Sequence, residues 1–241
     1  MRLGRCGAGA SAEKLEPLAF GTAMKKTLVY IDGYNLYYGL LKGSPASKWL
    51  DLHALVNSMF KDEHEVISIK LFTARVRTYP HDAAAEERQK IYLQALAVHG
   101  GVDVIEGFYS KKKAWLPHVN EKCKACRESH AGMARVVKLE EKRSDVNLAV
   151  TALVDAVRQD VDCFVLVTGD SDQAGTIYAL RREFGKTVLV FNPHVTVSEQ
   201  LKRAATYYAH IPRDLPASCQ LPDTIPYGKG DRFIHRPPAW A

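Results

Sequence analysis

Thr27-Leu28-Val29-Tyr30-Ile31-Asp32-Gly33-Tyr34-Asn35 carries the chain's clearest strand signal. A run of apolar and β-branched residues closes on an acid and a glycine. That pattern reads as a strand covered on both faces and followed by an abrupt turn, as in parallel sheets. Similar runs recur at Val66–Ala74, Val102–Phe108, Cys163–Val167 and Thr187–Phe191. Helical patterns lie between them. Asp82 is placed to cap a helix reaching Val98, with Gly100 as its stop. Ser144 is placed to cap another, with Val146, Ala149, Val150, Leu153, Val154 and Val157 spaced as its apolar face. A third is expected from Asp172 to Phe184, ended by Gly185, and a fourth from Ser198 through Ala205. Strands alternating with helices predict a doubly wound α/β fold with a mainly parallel central sheet.

Of the 241 residues, 46% are hydrophobic and 25% charged, enough to bury a core and to exclude wholesale disorder. No apolar run approaches the roughly 18 residues of a membrane span, so no membrane partner is expected. Residues 1–23 are Gly/Ala-rich and lack the compact apolar stretch of a secretory signal. They read as a flexible leader ahead of a folded unit over 24–211. Five cysteines, an odd number in a chain this long, predict a reducing, cytoplasmic setting. Six of the eleven prolines fall at 212–241, which predicts a tail extended over the surface or without fixed structure.

The net charge of +6 is concentrated between Lys111 and Arg143, where ten basic residues oppose four acids. Such a concentration suits a polyanion, or equally a solvated insertion at about 111–143. Lys111, Lys112 and Lys113 are candidate phosphate contacts. Tyr109, Trp115 and Phe108 are placed to stack on unpaired bases, although Phe108 also reads as core. His118, Cys123, Cys126 and His130 fall within thirteen residues. They have the donor types of a structural Zn²⁺ site, or they are two reduced cysteines beside exposed histidines.

Open parallel sheets bind ligands beyond the carboxyl ends of their strands, which is where this sequence places its acids. Asp32 follows the first strand. Asp170 and Asp172 follow Cys163–Val167 within Thr168-Gly169-Asp170-Ser171-Asp172. Asp145 lies in the first turn of the Ser144–Arg158 helix. Gathered carboxylates repel unless neutralised, and hard divalent cations do this. Singly, Asp145 and Asp172 read as helix N-terminal acids. That reading does not explain Asp32 and Asp170 at two strand ends. The chain has no Gly-x-Gly-x-x-Gly after its first strand, no Walker-type loop and no Gly-x-Ser-x-Gly elbow. An aspartate-nucleophile phosphatase is the rival chemistry, because Gly169-Asp170-Ser171-Asp172 resembles its late metal motif. Tyr34 stands where that chemistry normally has a second acid.

Ile31-Asp32-Gly33-x-Asn35, Glu141-Lys142-x-x-Asp145-Val146 and Thr168-Gly169-Asp170-Ser171-Asp172 resemble, in this order, the three motifs of NYN-domain proteins, relatives of PIN-like metal-dependent nucleases. The resemblance covers residues 25–211. It implies a PIN-like three-layer α/β/α sandwich, a Mg²⁺ or Mn²⁺ site and RNA as substrate. It carries metal binding onto Asp32, Asp145, Asp170 and Asp172, and makes Asn35 the polar residue beside the first acid. Gln173 stands where many members carry an aromatic residue. The expected activity is hydrolysis of single-stranded RNA by two-metal-type catalysis. The alternatives are a non-catalytic RNA-binding module and a phosphatase for small metabolites. Asn35 would orient a phosphate or the attacking water. Thr168 and Ser171 would bond the phosphate or support the acids. Lys142, one helical turn before Asp145 or just outside the helix, would reach a phosphate. The remaining histidines, His194 among them, form no spaced ligand set.

Overall fold

From Thr27 to Asp32 every residue of β1 (Lys25–Asp32) is buried, as its unbroken apolar pattern requires. The computed structural model describes residues 24–60, 63–76, 84–118 and 132–241. β1 pairs in parallel with β2 (His64–Thr73), which pairs in parallel with β3 (Asp103–Glu106). β4 (Phe108–Pro117) and β5 (Met133–Lys142) form a separate antiparallel ribbon. β6 (Cys163–Val167) returns to the other side of β1, followed outward by β7 (Thr187–Asn192) and β8 (Tyr207–His210). The strand order is therefore β3-β2-β1-β6-β7-β8. The expected Val102–Phe108 run divides at Gly107 into β3 and β4. A Cβ there would stand 2.5 Å from the Lys142 carbonyl oxygen and 2.7 Å from Glu141 Oε1, so the chain needs glycine at this point.

Helices cover both faces. After β1 come α1 (Gly33–Leu36) and a π-helical turn, Tyr37–Leu41, then α2 (Leu52–Met59), whose His53 and Ala54 N–H groups donate to Asp51 Oδ1. α3 (Ala85–His99) ends at Gly100 as expected, while Asp82 lies outside the described residues. α4 (Ser144–Arg158), α5 (Ala174–Arg182) and α6 (Glu199–Ala204) cover the opposite face. Ser198 Oγ accepts from the Leu201 N–H and caps α6 as its position suggests. Val29 and Ile31 of β1 pack in the layer of α2 and α3, and Leu28 and Tyr30 pack with α4 and α5. This is the α/β/α sandwich with a parallel sheet that the sequence implies. Among the described residues no helix is long and apolar enough to cross a membrane.

Three expectations are corrected. α4 does not bury its valine stripe: Val146, Val150 and Val157 are 64, 53 and 71% exposed, while Leu148, Ala152, Asp155 and Ala156 are buried. The face is chosen by Tyr30, which stacks between Phe72 and Phe164 and needs a partner for its buried hydroxyl. Tyr30 Oη donates to Asp155 Oδ2 at 2.6 Å, and Lys70 Nζ pairs with the same oxygen. Small alanines beside Asp155 let the helix approach the rings. Arg143, with a left-handed φ of 83°, takes the cap position expected of Ser144.

The Pro-rich tail, in turn, is part of the core. The Leu221 N–H donates to the Trp49 carbonyl, and Trp49 Nε1 donates to the Pro222 carbonyl. Beyond the short α7 (Leu215–Ser218), strands β9 (Thr224–Pro226) and β10 (Phe233–His235) pair and bury Ile225 and Ile234. The Trp240 ring lies 6.4 Å from Trp49 and 6.0 Å from Tyr92. Ile234→Ala is expected to cost about 2–4 kcal/mol through lost burial and the cavity left behind. Urea unfolding measures this, and a loss under about 0.5 kcal/mol, the range of neutral surface changes, would return the tail to the surface.

Candidate active site

The strand order reverses between β1 and β6, the switch point where open α/β sheets bind ligands. Ile31 pairs with Val167, so Asp32 and Thr168 leave the sheet side by side. Asp32 is buried and turns the chain into α1. Its Oδ1 accepts from the Tyr34 and Asn35 N–H groups at 3.1 and 3.0 Å. Its Oδ2 accepts from Asn35 Nδ2 at 2.5 Å and Thr168 Oγ1 at 3.2 Å. Burial pushes its carboxyl above the ordinary range, with Asp170 adding to the rise. The bonds from Asn35 and Thr168 oppose it.

Asn35 joins three elements. Besides donating to Asp32, its Oδ1 accepts the Gly169 N–H at 3.1 Å and lies 3.1 Å from His194 Nε2. An amide oxygen only accepts, so this arrangement places the His194 proton on Nε2. The His194 N–H donates to Asn192 Oδ1, and His210 Nδ1 donates to the His194 carbonyl. Gly169 lies close under this corner: a Cβ would sit 2.6 Å from Asn192 Oδ1. Thr168 is fully buried, and its hydroxyl is used twice, donating to Asp32 and accepting the Asp170 N–H at 3.1 Å. It therefore supports the acids and is not free for a phosphate.

Asp170 accepts the Asp172 N–H at 3.0 Å and caps a short 3-10 turn, Ser171–Gln173. Ser171 is half-buried and Asp172 exposed on that turn. Gln173 is buried and donates to the Asp145 carbonyl, tying the turn to the start of α4. Asp145 is exposed at its outer edge, yet its carboxyl is pushed up to about 6. Desolvation contributes most, followed by the charges of Asp32, Asp170, Glu141 and Asp172. Five carboxylates thus share one field. Among the described residues no three His, Cys, Asp or Glu side chains converge tightly enough to hold a metal ion unaided.

Two residues of this corner went unassigned from the sequence. Glu141, whose Oε1 accepts from the Ser144 hydroxyl at 2.6 Å, adds the fifth charge. His194 lies two residues beyond β7, at the same sheet edge where Asp32 and Asp170 follow their strands. The basic residues stand differently from expectation. Lys142 closes β5 and pairs with Glu140 at 3.1 Å, outside the helix. Lys111, Lys112 and Lys113 do not form one patch, because they alternate along β4. Of the possible zinc donors, His118 is described, while Cys123, Cys126 and His130 lie outside the described residues.

The NYN domain description matches residues 26–212. The chain is 34% identical to 6-hydroxy-3-succinoylpyridine 3-monooxygenase HspA of Pseudomonas putida, over 89% of this chain and 75% of that protein. A crystal structure of a protein of unknown function from Vibrio parahaemolyticus superposes with a TM-score of 0.45 at 20% identity, covering 79% of this chain and 95% of that one. Matched over more than three quarters of its length, and carrying the three motifs at the ends of β1 and β6 and the start of α4, the chain belongs to the NYN domain family of PIN-like nucleases.

Proposed function

We propose that this protein is a metal-dependent ribonuclease acting on single-stranded RNA. The observation that carries the reading is the shared field of Asp32, Glu141, Asp145, Asp170 and Asp172 at the switch point. The donors are all hard oxygens, which fit Mg²⁺ or Mn²⁺. Mg²⁺ keeps several waters and takes only one or two carboxylates directly, so the set need not close into a tight cage. Asp32, Asp145, Asp170 and Asp172 would hold the ion. When bound, a divalent cation neutralises charge on the phosphodiester and lowers the pKa of a nearby water. Asn35, fixed at both ends of its amide, keeps Asp32 oriented and holds the β6 turn against it. His118, Cys123, Cys126 and His130 would supply the donors of a structural Zn²⁺ ion.

The β4–β5 ribbon supplies the docking surface. Residues directly opposite in an antiparallel pair share a side. One side carries Tyr109 with Glu141, then Lys111, Lys113 with Val137, and Trp115 with Arg135. Cations and an exposed indole therefore alternate outward from Glu141, the pattern of a single-strand track. The other side carries Lys112 with Lys138, and Lys142.

A second reading is favoured by one observation, the 34% identity to a protein named 6-hydroxy-3-succinoylpyridine 3-monooxygenase. In that case the chain would act on a substituted pyridine. Consumption of that compound, with dioxygen and a reduced nicotinamide supplied and RNA left intact under Mg²⁺ or Mn²⁺, would replace the ribonuclease reading.

Three outcomes are expected. Asp32→Asn keeps shape but removes charge, so RNA cleavage in Mn²⁺ should fall by more than the roughly 10–100-fold typical of changes behind a metal ligand. RNA binding, measured by filter retention, should persist. Wild-type protein that binds RNA yet cleaves none with any divalent ion would make it a binding module. Phosphate release from small phosphomonoesters alone would make it a phosphatase.

The Lys111→Ala, Lys113→Ala pair should weaken binding and flatten the salt slope by about 0.7 for each phosphate no longer neutralised. Lys112→Ala should flatten it less; equal effects would remove the one-sided track.

Asp145 has a raised folded pKa, so its ionised form opposes folding. The penalty is absent below 3.8, grows as pH rises, and is complete above about 6. Asp145→Asn should therefore stabilise the metal-free protein at pH 7.5 and not below pH 4. The gain should be on the order of 1 kcal/mol after solvent screening, or ~2–4 °C in Tm. Calorimetry at the two pH values decides it, and an equal shift at both would remove the electrostatic cause.

A further inference from the structure

Beside the acids lies a cavity of about 270 Å³ that the proposed hydrolysis does not use. Six aromatic side chains line it: Tyr34, Tyr37, Tyr38, Tyr92, Tyr109 and Trp240. Tyr34, Tyr37 and Tyr38 share one helical face by their spacing. The π-helical turn Tyr37–Leu41 is an element that tends to mark functional sites, and it brings two consecutive tyrosines to the same space. The Tyr34 and Tyr38 rings lie within 23° of parallel at 6.4 Å, and Tyr109 stands edge-on to Tyr34 at 6.0 Å. Leu36, Leu52 and Leu71 add apolar lining.

The wall is pre-formed. Tyr34 Oη and Gln89 Nε2 both donate to the Ala74 carbonyl, at 2.8 and 3.0 Å, and Gln89 Oε1 accepts the Val76 N–H at 2.7 Å. Tyr92 Oη donates to the Leu50 carbonyl at 2.8 Å. The charged lining is Lys48 and Arg88, with no acid among the described lining residues. The walls therefore select a flat ring, and Lys48 and Arg88 add positive charge to the lining. Its volume falls below the roughly 300–1,000 Å³ of drug-sized pockets, which suits one ring system and not a dinucleotide.

The cavity adjoins the acids. Gly33 and Tyr34, which line it, follow Asp32 directly. The Glu141 charge helps push the phenols of Tyr34 and Tyr109 up, and the same charge reaches Asp145. Glu141, opposite Tyr109 in the ribbon, thus acts on both the aromatic wall and the acidic centre.

We propose that this cavity is a ring-binding subsite that takes one planar aromatic ring bearing an anionic arm, the ring held among Tyr34, Tyr38 and Tyr109. Under the ribonuclease reading, on which only the source of the ring depends, that ring is one unpaired base of the RNA. The same chemistry is offered by a free heteroaromatic acid.

Isothermal titration of the full chain in EDTA, where no cleavage interferes, tests this with four probes: UMP, AMP, ribose 5-phosphate and nicotinate. UMP or AMP should bind, and ribose 5-phosphate, which has no aromatic ring, should not. Tyr38 is more than half exposed, so its replacement leaves the fold intact. Tyr38→Ala should weaken ring binding by about tenfold, the scale of removing one stacking partner, and Tyr38→Phe should restore it. Nucleotides binding more tightly than nicotinate support the subsite and identify an RNA base as the source. The reverse order supports the subsite and identifies a free aromatic acid. Failure of all three ring probes to bind, or an affinity unchanged by Tyr38→Ala, overturns the proposal. RNA cleavage assayed separately keeps the two readings apart. Asp32-dependent cleavage without ring binding removes the subsite alone, and ring binding without cleavage in any divalent ion removes the ribonuclease alone.

Discussion

At the middle of the sheet β1 pairs in parallel with β6. Thr27–Ile31 lie against Cys163–Val167, and all ten residues are buried. Each large apolar side chain among them contributes about 1.5–3 kcal/mol by burial. The chain builds outward from this pair in two directions, through β2 and β3 on one flank and β7 and β8 on the other. The chain leaves β1 toward the α2 and α3 layer and leaves β6 toward the α5 layer, so a crevice is left open where the two strands end. Carboxylates that repel one another can be kept there because the strands beneath cannot separate without exposing the core.

Within that crevice the side chains divide by how fully they are engaged. Asp32, Asn35 and Thr168 are oriented by hydrogen bonds that tie β1, β6 and the residues after β7 into one corner. Asp145 and Asp172 sit further out, nearer solvent. The inner group fixes geometry, and the outer group adds carboxylates open to solvent. A preorganised centre needs both, since a charged site without locked neighbours loses alignment.

How much of this was legible in the sequence varied with the physics of each signal. β1 and β6 were plain because burial on both faces leaves an uninterrupted apolar run. Asp32 and Asp170 were plain because they directly follow such runs. The buried face of α4 was not, because valine outscores alanine in any hydrophobic count. The deciding partner, the Tyr30 hydroxyl beneath Asp155, lies 125 residues away in sequence. The buried tail is hard to read from sequence for a related reason. Its prolines are dense and local, whereas its anchors, Ile225, Ile234 and Trp240, are few and reach partners such as Trp49 and Tyr92 far back in the chain. Glu141 was visible within a motif but carried no role, since its place beside Asp145 depends on the left-handed turn at Arg143. The aromatic cavity was hidden because its rings come from the segments after β1, from α3, from β4 and from the last helical turn.

The ribbon is hydrogen-bonded to itself and not to the six-stranded sheet. Its two strands alternate sides with a period of two, and Tyr109 with Glu141 marks the pair nearest the acids. That geometry sets a phase rule for insertions and deletions during divergence. Adding or removing two residues in each strand changes the reach of the arm while every remaining residue keeps its side. A single residue added to each strand exchanges the two sides beyond that point, trading the Lys113 and Trp115 surface for that of Lys112. The arm can therefore be lengthened or shortened in even steps, and so refitted to a different target, without any change at the crevice it serves.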